Sequence, residues 1–369
     1  MKRLLIFHPA LAPYRVDFFN ELGRRFKLKI VFLVRNNLNQ GFKQDILLKE
    51  ATYEYEYLDN SVRIFKRRIN KGYWNIIHKY NPDIIFASEF GPSLIAVWSY
   101  KIVHNSSYKI FTLCDDSEDI FLKCKSMRKY SRNFFSSKID GIICVNPKVS
   151  QYFISIGAKS AIYFPIIRDE KKYSKQLSSL SSITESYIKN WNLKEKINIL
   201  FVGRLAKVKY LDGLLKIFSQ LSCEQKAKCN LLFVGDGSEK NNLLQLAEGY
   251  GISKYLILAG RYENEDLLAW YNIGSFFILP SLYEPFGAVT GEALMAGMPA
   301  LISNKAGSSC LISDNAGVIF DPLVPTEFES SLVSMINKSD VTPEKGFLRK
   351  NLISIPFSSF MDHLVDSIS

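Results

Sequence analysis

The 369-residue sequence predicts an α/β protein of two doubly wound domains with parallel sheets. Three observations carry that expectation. Short apolar runs of strand length alternate with longer amphipathic stretches almost throughout. The alternation fails once, between about residues 168 and 196. Glycines follow the ends of two apolar runs, at Gly203 and Gly235. Strands apolar on both faces and separated by helices belong to parallel sheets covered on both sides.

In the first half the runs fall at residues 4–7, 28–33, 83–87, 109–113 and 141–145. In the second they fall at 198–202, 230–234, 255–258, 275–279 and 300–302. Helix-like patterns occupy 16–26, 211–221, 240–250 and 266–271. The interruption, KKYSKQLSSLSSITESY, is rich in Ser and Lys and offers no strand; it reads as a linker followed by a helix over 186–193. The expected division is therefore an N-terminal domain over 1–167, a linker and leading helix over 168–196, a second domain over 197–355, and a short amphipathic helix over 356–369.

Hydrophobic residues make up 47% and charged residues 22% of the chain, a globular balance. The net charge of +11 calls for an anionic partner: nucleic acid, a phosphate-bearing substrate or a membrane surface. Six cysteines, at 114, 124, 144, 223, 229 and 310, form no CxxC pair, which argues against a zinc site or a disulfide framework. The opening MKRLLIFHPALAPYR reads as a first strand and not as a leader, because His8 and Pro9 break its apolar core. No run approaches the roughly 20 apolar residues of a membrane span, and a cytoplasmic location is expected, peripheral on the inner face of the membrane if surface-bound.

The second half carries the chemistry. In FVGRLAKVKYLDGLL, Arg204 and Lys209 follow the end of a buried strand, where open α/β sheets bind ligands. Two cations there suit a diphosphate; two solvated surface charges are the bland alternative. Gly235-Asp236-Gly237 is a tight turn without the third glycine of a dinucleotide fingerprint, which speaks against a dehydrogenase. In FFILPSLYEPFGAVTGEALMAGMPALIS a strand ends at Pro280, a loop follows, and a helix is expected over 288–296, stopped by Gly297 with Pro299 beyond. The amides of Gly287, Ala288 and Val289 at that helix start make an anion site. Glu284 before it and Glu292 one turn inside it suit sugar and ribose hydroxyls. Taken singly, each glutamate reads as an ordinary helix-start or surface charge; taken as a unit, they do not.

GRLAKVK, the E-x7-E pair Glu284 and Glu292, EPFG, EALMAG and NAGVIFDP resemble glycosyltransferase family 4, a retaining family with the GT-B fold; the likeness is specific over about 197–322. The resemblance implies two Rossmann-like domains facing across a cleft, with the C-terminal helix returning to the first. It implies a retaining, metal-independent hexosyltransferase that moves a sugar from a nucleotide-sugar donor to a glycan or lipid-linked acceptor in cell-surface polysaccharide or glycolipid synthesis. It further implies that Arg204 and Lys209 hold the donor diphosphate, that amides at Phe286, Gly287 and Ala288 line phosphate and sugar, that Glu284 touches the donor sugar, and that Glu292 touches the ribose. No cofactor and no metal are expected, and a UDP-sugar is the expected co-substrate.

The first half departs from the family pattern. Its first loop holds Pro13, Tyr14 and Arg15 in place of glycines, which makes Tyr14 and Arg15 candidates for the acceptor side. Strand 109–113 runs into Cys114, Asp115 and Asp116, where many relatives carry a His before the Asp. No catalytic histidine is transferred, and Asp115 or Asp116 is expected to orient or deprotonate the acceptor hydroxyl, with helix capping an open alternative. Two basic clusters with aromatic edges, KRRINKGYWNIIHKY and KCKSMRKYSRNFFSSK, suggest an anionic membrane surface, with solvated helix faces as the alternative. Competing readings are a non-catalytic sugar-nucleotide-binding subunit, a GT-B epimerase or phosphorylase, and nucleic-acid binding, which has charge but no motif behind it.

Overall fold

The computed structural model describes residues 1–35, 42–58, 61–64, 67–125 and 127–369, with only the backbone described at 61–64 and 67–70. The chain forms two compact units: Met1–Arg168 with Phe357–Ser369, and Asp169–Pro356.

The first unit holds a seven-stranded sheet in the order Glu54–Tyr57, Lys27–Phe32, Arg3–His8, Ile84–Ser88, Lys109–Cys114, Gly141–Cys144, Ala161–Tyr163, every pair parallel. The central strands are buried on both faces, as in IIFA of Ile84–Ser88 and GIIC of Gly141–Cys144. Strand order reverses between Arg3–His8 and Ile84–Ser88, which opens a crevice at their carboxyl ends.

The second unit repeats the plan with six parallel strands: Leu256–Gly260, Cys229–Val234, Ile197–Val202, Phe276–Leu279, Ala300–Ser303, Gly317–Phe320. Its reversal lies between Ile197–Val202 and Phe276–Leu279. The loops leaving these two strands carry Arg204, Lys209 and Glu284.

The stretch read as a linker is folded. Helices Glu170–Ser178 and Ser181–Asn190 occupy it, the first capped by Asp169, whose carboxylate accepts from the amides of Lys171 and Lys172. Tyr173, Leu177, Leu180 and Ile188 lie in the core of the second unit. Their spacing of three, four and eight residues is helical, but Ser and Lys dilute it below recognition.

The C-terminal helix, Phe357–Ile368, belongs to the first unit. It buries Phe357, Phe360, Met361, Leu364 and Ile368, one face at helical spacing. Phe360 packs edge-on against Tyr163 at 5.5 Å, and Arg25 binds Asp362 at 2.6 Å.

Candidate functional site

In the second unit, strand Ile197–Val202 is buried along its whole length and leaves the sheet through Gly203. The loop then lies against the Gly235–Gly237 turn. A Cβ on Gly235 would sit 1.8 Å from the Gly203 carbonyl oxygen, and one on Gly237 would sit 2.2 Å from that of Leu205. This glycine pair is therefore architectural, because it seats the loop that presents the two cations. Lys209 ends the short 3-10 turn Lys207–Lys209, and Tyr210 in a left-handed conformation starts helix Leu211–Gln220.

The loop after Phe276–Leu279 is anchored on both sides. The Leu282 amide donates to the Val208 carbonyl at 2.9 Å, Gly307 to Glu284 at 3.1 Å and Ser308 to Phe286 at 2.7 Å. The Phe286 ring is buried beneath it. These ties bring Lys209 onto Glu284: the ammonium donates to the carboxylate, and the two side chains keep only 15% and 13% of their exposure. Arg204 is exposed and, among the described residues, has no carboxylate partner.

Gly287 caps the next helix, Ala288–Met295, with φ 90° and ψ 64°. A Cβ there would meet Leu279 Cδ2 at 2.9 Å and both Glu284 Cγ and Ser308 Oγ at 3.1 Å, so glycine is required for space as well as conformation. Among the described residues, the amides of Phe286, Gly287, Ala288 and Val289 donate to no protein group, and the helix dipole adds positive potential there. Ser308 donates to buried Thr290 at 2.8 Å, which fixes the first turn. The helix ends in a Schellman closure: Met298 donates to the Ala293 carbonyl and Gly297, at φ 71°, to that of Leu294, each at 2.9 Å. Glu292, half-buried, accepts from the Tyr271 hydroxyl at 2.8 Å.

In the first unit, a hollow of about 100 Å³ sits at the crevice between Arg3–His8 and Ile84–Ser88, lined by His8, Tyr14, Ser88, Glu89 and Asp115 among others. Arg15 is buried and donates to Asp115 at 2.6 Å, so its guanidinium is spent on an internal partner. Asp116 is buried between Arg132, its closest partner, and Arg128 at 2.9 Å. His8 is pushed down to about 4, first by burial and next by the Arg15 charge, and stays neutral at pH 7. Burial raises the Glu89 carboxyl above its usual range against the pull of Arg128. Cys114 is buried, and burial drives its thiol well up.

Residues 183–345 match the family described as glycosyl transferases group 1. The second unit is a glycosyl transferases group 1 domain. Sucrose synthase 2 of Pisum sativum is 23% identical over 359 residues, covering 91% of this chain and 43% of that protein. This chain thus spans under half the length of that relative. An uncharacterized glycosyltransferase of Methanocaldococcus jannaschii is 32% identical over 109 residues, 30% of this chain and 27% of its own. Among solved structures, Anabaena HepE in complex with UDP superposes with a TM-score of 0.76 at 14% identity, covering 100% of this chain and 99% of that one. The galactosyltransferase WaaB of the lipopolysaccharide outer core gives 0.68 at 16%, with 99% of each chain covered. The fold is GT-B.

The group 1 domain brings together Lys209, Glu284, the Phe286–Ala288 backbone and, one helical turn on, Glu292. The first unit brings Tyr14, Arg15 and Asp115 to one crevice and withdraws Asp116 into a buried ion cluster. Sequence reasoning passed over His8 and Glu89. His8 registered only as a break in an apolar run, and Glu89 carries no motif; its left-handed φ of 44° is visible only in the structure. Arg128 and Arg132, read as membrane-facing cations, turn inward: Arg132 is buried with its guanidinium 4.2 Å from the Phe121 ring centre. Of the other basic cluster, Lys66 lies outside the described residues and the side chains of Arg67 and Arg68 do too.

Proposed function

We propose that this chain is a retaining, metal-independent glycosyltransferase that moves a sugar from a UDP-sugar to a glycan or lipid-linked acceptor. The observation that carries the reading is the Lys209–Glu284 pair beside four unpaired loop and helix-start amides, at the strand-order reversal of the second sheet. A diphosphate set on those amides takes Lys209 and the exposed Arg204 as counter-charges. Both cations then stabilise the charge that grows on the departing nucleotide, the point at which fixed dipoles accelerate transfer most. Glu284 is left to accept from a donor-sugar hydroxyl, and Glu292, oriented by Tyr271, from the ribose. UDP in the HepE structure supports the choice of base. No cofactor and no metal enter the scheme.

Asp115 is the proposed acceptor-side carboxylate, held in place by Arg15. WaaB, and a Klebsiella pneumoniae protein of the cps region that is 25% identical over 247 residues, support a role in cell-surface polysaccharide or glycolipid synthesis on the cytoplasmic side. The buried Cys114 keeps one other reading in view, a sugar-nucleotide-binding subunit without turnover. A thermal-shift and nucleotide-release panel of sugar nucleotides tests both. UDP should stabilise the protein, and Glu284→Ala should abolish release while UDP still binds. Failure of every nucleoside diphosphate to stabilise the chain would sink the proposal; binding without release for any donor and acceptor would favour the subunit reading.

A further inference from the structure

Helix Pro92–Val103 of the first unit is apolar nearly all round, yet it is not enclosed. Ile95, Ile102 and Val103 are 50%, 62% and 63% exposed. Residues 95, 98 and 102 repeat at helical spacing, so these side chains form one outward stripe. A helix of this composition is normally covered on every side.

The stripe is continued by its neighbours. On one flank Trp74, from helix Tyr73–Tyr80, donates through Nε1 to the Ala96 carbonyl at 3.1 Å and remains 41% exposed. On the other, Phe134, from helix Met127–Ser136, packs edge-on against Trp98 at 5.7 Å and remains 51% exposed, with Tyr130 one turn before it. Three helices thus present one aromatic and aliphatic face.

The charge carried by the three helices themselves has one sign. None of the three helices contains Asp or Glu, in a chain with 36 acidic residues. Lys79 and Lys129 lie on two of these helices and Lys71 and Lys138 two residues beyond helix ends, and all four are exposed. Carboxylates of adjoining elements are paired with cations: Asp140 is within reach of Lys101 on the central helix and of Lys159, and Glu54 and Glu56 beside Lys79 pair with Lys29. Glu89 pairs with Arg128, Asp119 with Lys123 and Glu118 with Lys148. Large apolar patches rimmed by polar groups mark interaction surfaces, and apolar side chains ringed by lysine suit an acyl boundary under anionic headgroups.

We infer that this three-helix face docks the protein on an anionic lipid bilayer. The inference rests on the first unit alone and is independent of the donor site. It also revises the sequence-level expectation: the inserting residues are Ile102, Trp74 and Phe134, and helix Pro92–Val103 lies outside both basic clusters.

Flotation with phosphatidylcholine vesicles, with or without about a third phosphatidylglycerol, tests it. The wild-type chain should bind the anionic vesicles roughly tenfold better than the neutral ones, less so in high salt. Ile102→Ser with Phe134→Ser, and separately Lys129→Glu with Lys138→Glu, should each reduce binding at least about fivefold. All four sites are on the surface, so the thermal midpoint and the response to UDP should match wild type in both variants. The inference is overturned if wild type ignores anionic vesicles, if it binds both kinds equally, or if both variants float like wild type. It is also overturned if light scattering finds a dimer that Ile102→Ser with Phe134→Ser dissolves, since the face would then be a self-association surface.

Discussion

Replacing Lys209 with Met removes the ammonium but keeps most of the aliphatic stem. It leaves the Glu284 carboxylate in a loop where the side chain has 13% of its exposure. Exposed ion pairs contribute up to about 1 kcal/mol, whereas orphaning one member of a fully buried pair costs about 3–5 kcal/mol. A pair with roughly one-seventh of its surface in water should fall between, at about 2 kcal/mol for Lys209→Met. Glu284→Gln should cost less, because a neutral amide beside Lys209 leaves that ammonium room to reach solvent. The double variant should recover about 1 kcal/mol of the summed losses. Urea unfolding should be followed by fluorescence in a Trp74→Phe, Trp98→Phe background, so that Trp191 and Trp270 report on the second unit. Saturating UDP at a hundred times its dissociation constant should add about 2.7 kcal/mol to the parent. At that same concentration Lys209→Met should lose at least about half of this gain, because the diphosphate loses a direct counter-charge. A cost below about 0.5 kcal/mol together with an unchanged UDP increment would show that the pair is surface decoration, and the assignment of Lys209 to phosphate would fall with it.

Other outcomes follow from the same geometry. Asp116→Asn leaves Arg132 buried without a counter-ion and should destabilise the first unit by about 3–5 kcal/mol; a melting profile within two or three degrees of wild type would refute a structural role for Asp116. His8, held near 4 in the folded chain against about 6.5 unfolded, binds its proton more readily when the chain unfolds. Stability is therefore lost as pH falls from about 6.5 to about 4, by at most about 3 kcal/mol, and His8→Gln should flatten the curve in that window. Gly287→Ala must hold a left-handed backbone against a crowded Cβ, so it should cost at least about 1–2 kcal/mol and weaken UDP binding, both readable in one thermal-shift titration. An alanine variant that binds UDP like the parent would show that the amides of this turn do not hold phosphate.

The second sheet and its site were legible because their determinants are local. Buried strands read as apolar runs, and the ten runs are strands of the two sheets. Within these two sheets the strands that went unread lie at edges, where one face suffices: Glu54–Tyr57 alternates Glu with Tyr, Ala161–Tyr163 has three residues, and Gly317–Phe320 buries only its last. The small antiparallel pair Ser61–Ile64 and Arg67–Asn70 went unread too. The Lys209–Glu284 pair spans 75 positions, yet each partner could be placed alone, since each follows a strand at a predictable edge. Arg15 offered no such handle. What decides its role is Asp115, 100 residues away, and a guanidinium at the mouth of a crevice looks the same in sequence whether it awaits an anion or already has one.

That difference bears on how the excess positive charge is distributed. Arg15 and Arg132 are buried beside Asp115 and Asp116, where a planar guanidinium can satisfy a carboxylate and still lie against aromatic rings. The lysines of the same segments, Lys123, Lys125 and Lys129, stay outside, because an ammonium is held by its hydration. The six cations of KCKSMRKYSRNFFSSK are thus two arginines, Arg128 and Arg132, which hold Asp116, and four exposed lysines, which are left for a surface. Lys for Arg at 132 would keep the net charge of +11 and should still unfold the crevice, whereas Arg for Lys at 129 should leave both stability and vesicle binding unchanged. Substitutions that conserve charge therefore separate the two roles, and a chain that tolerated Arg132→Lys as easily as Lys129→Arg would contradict that division.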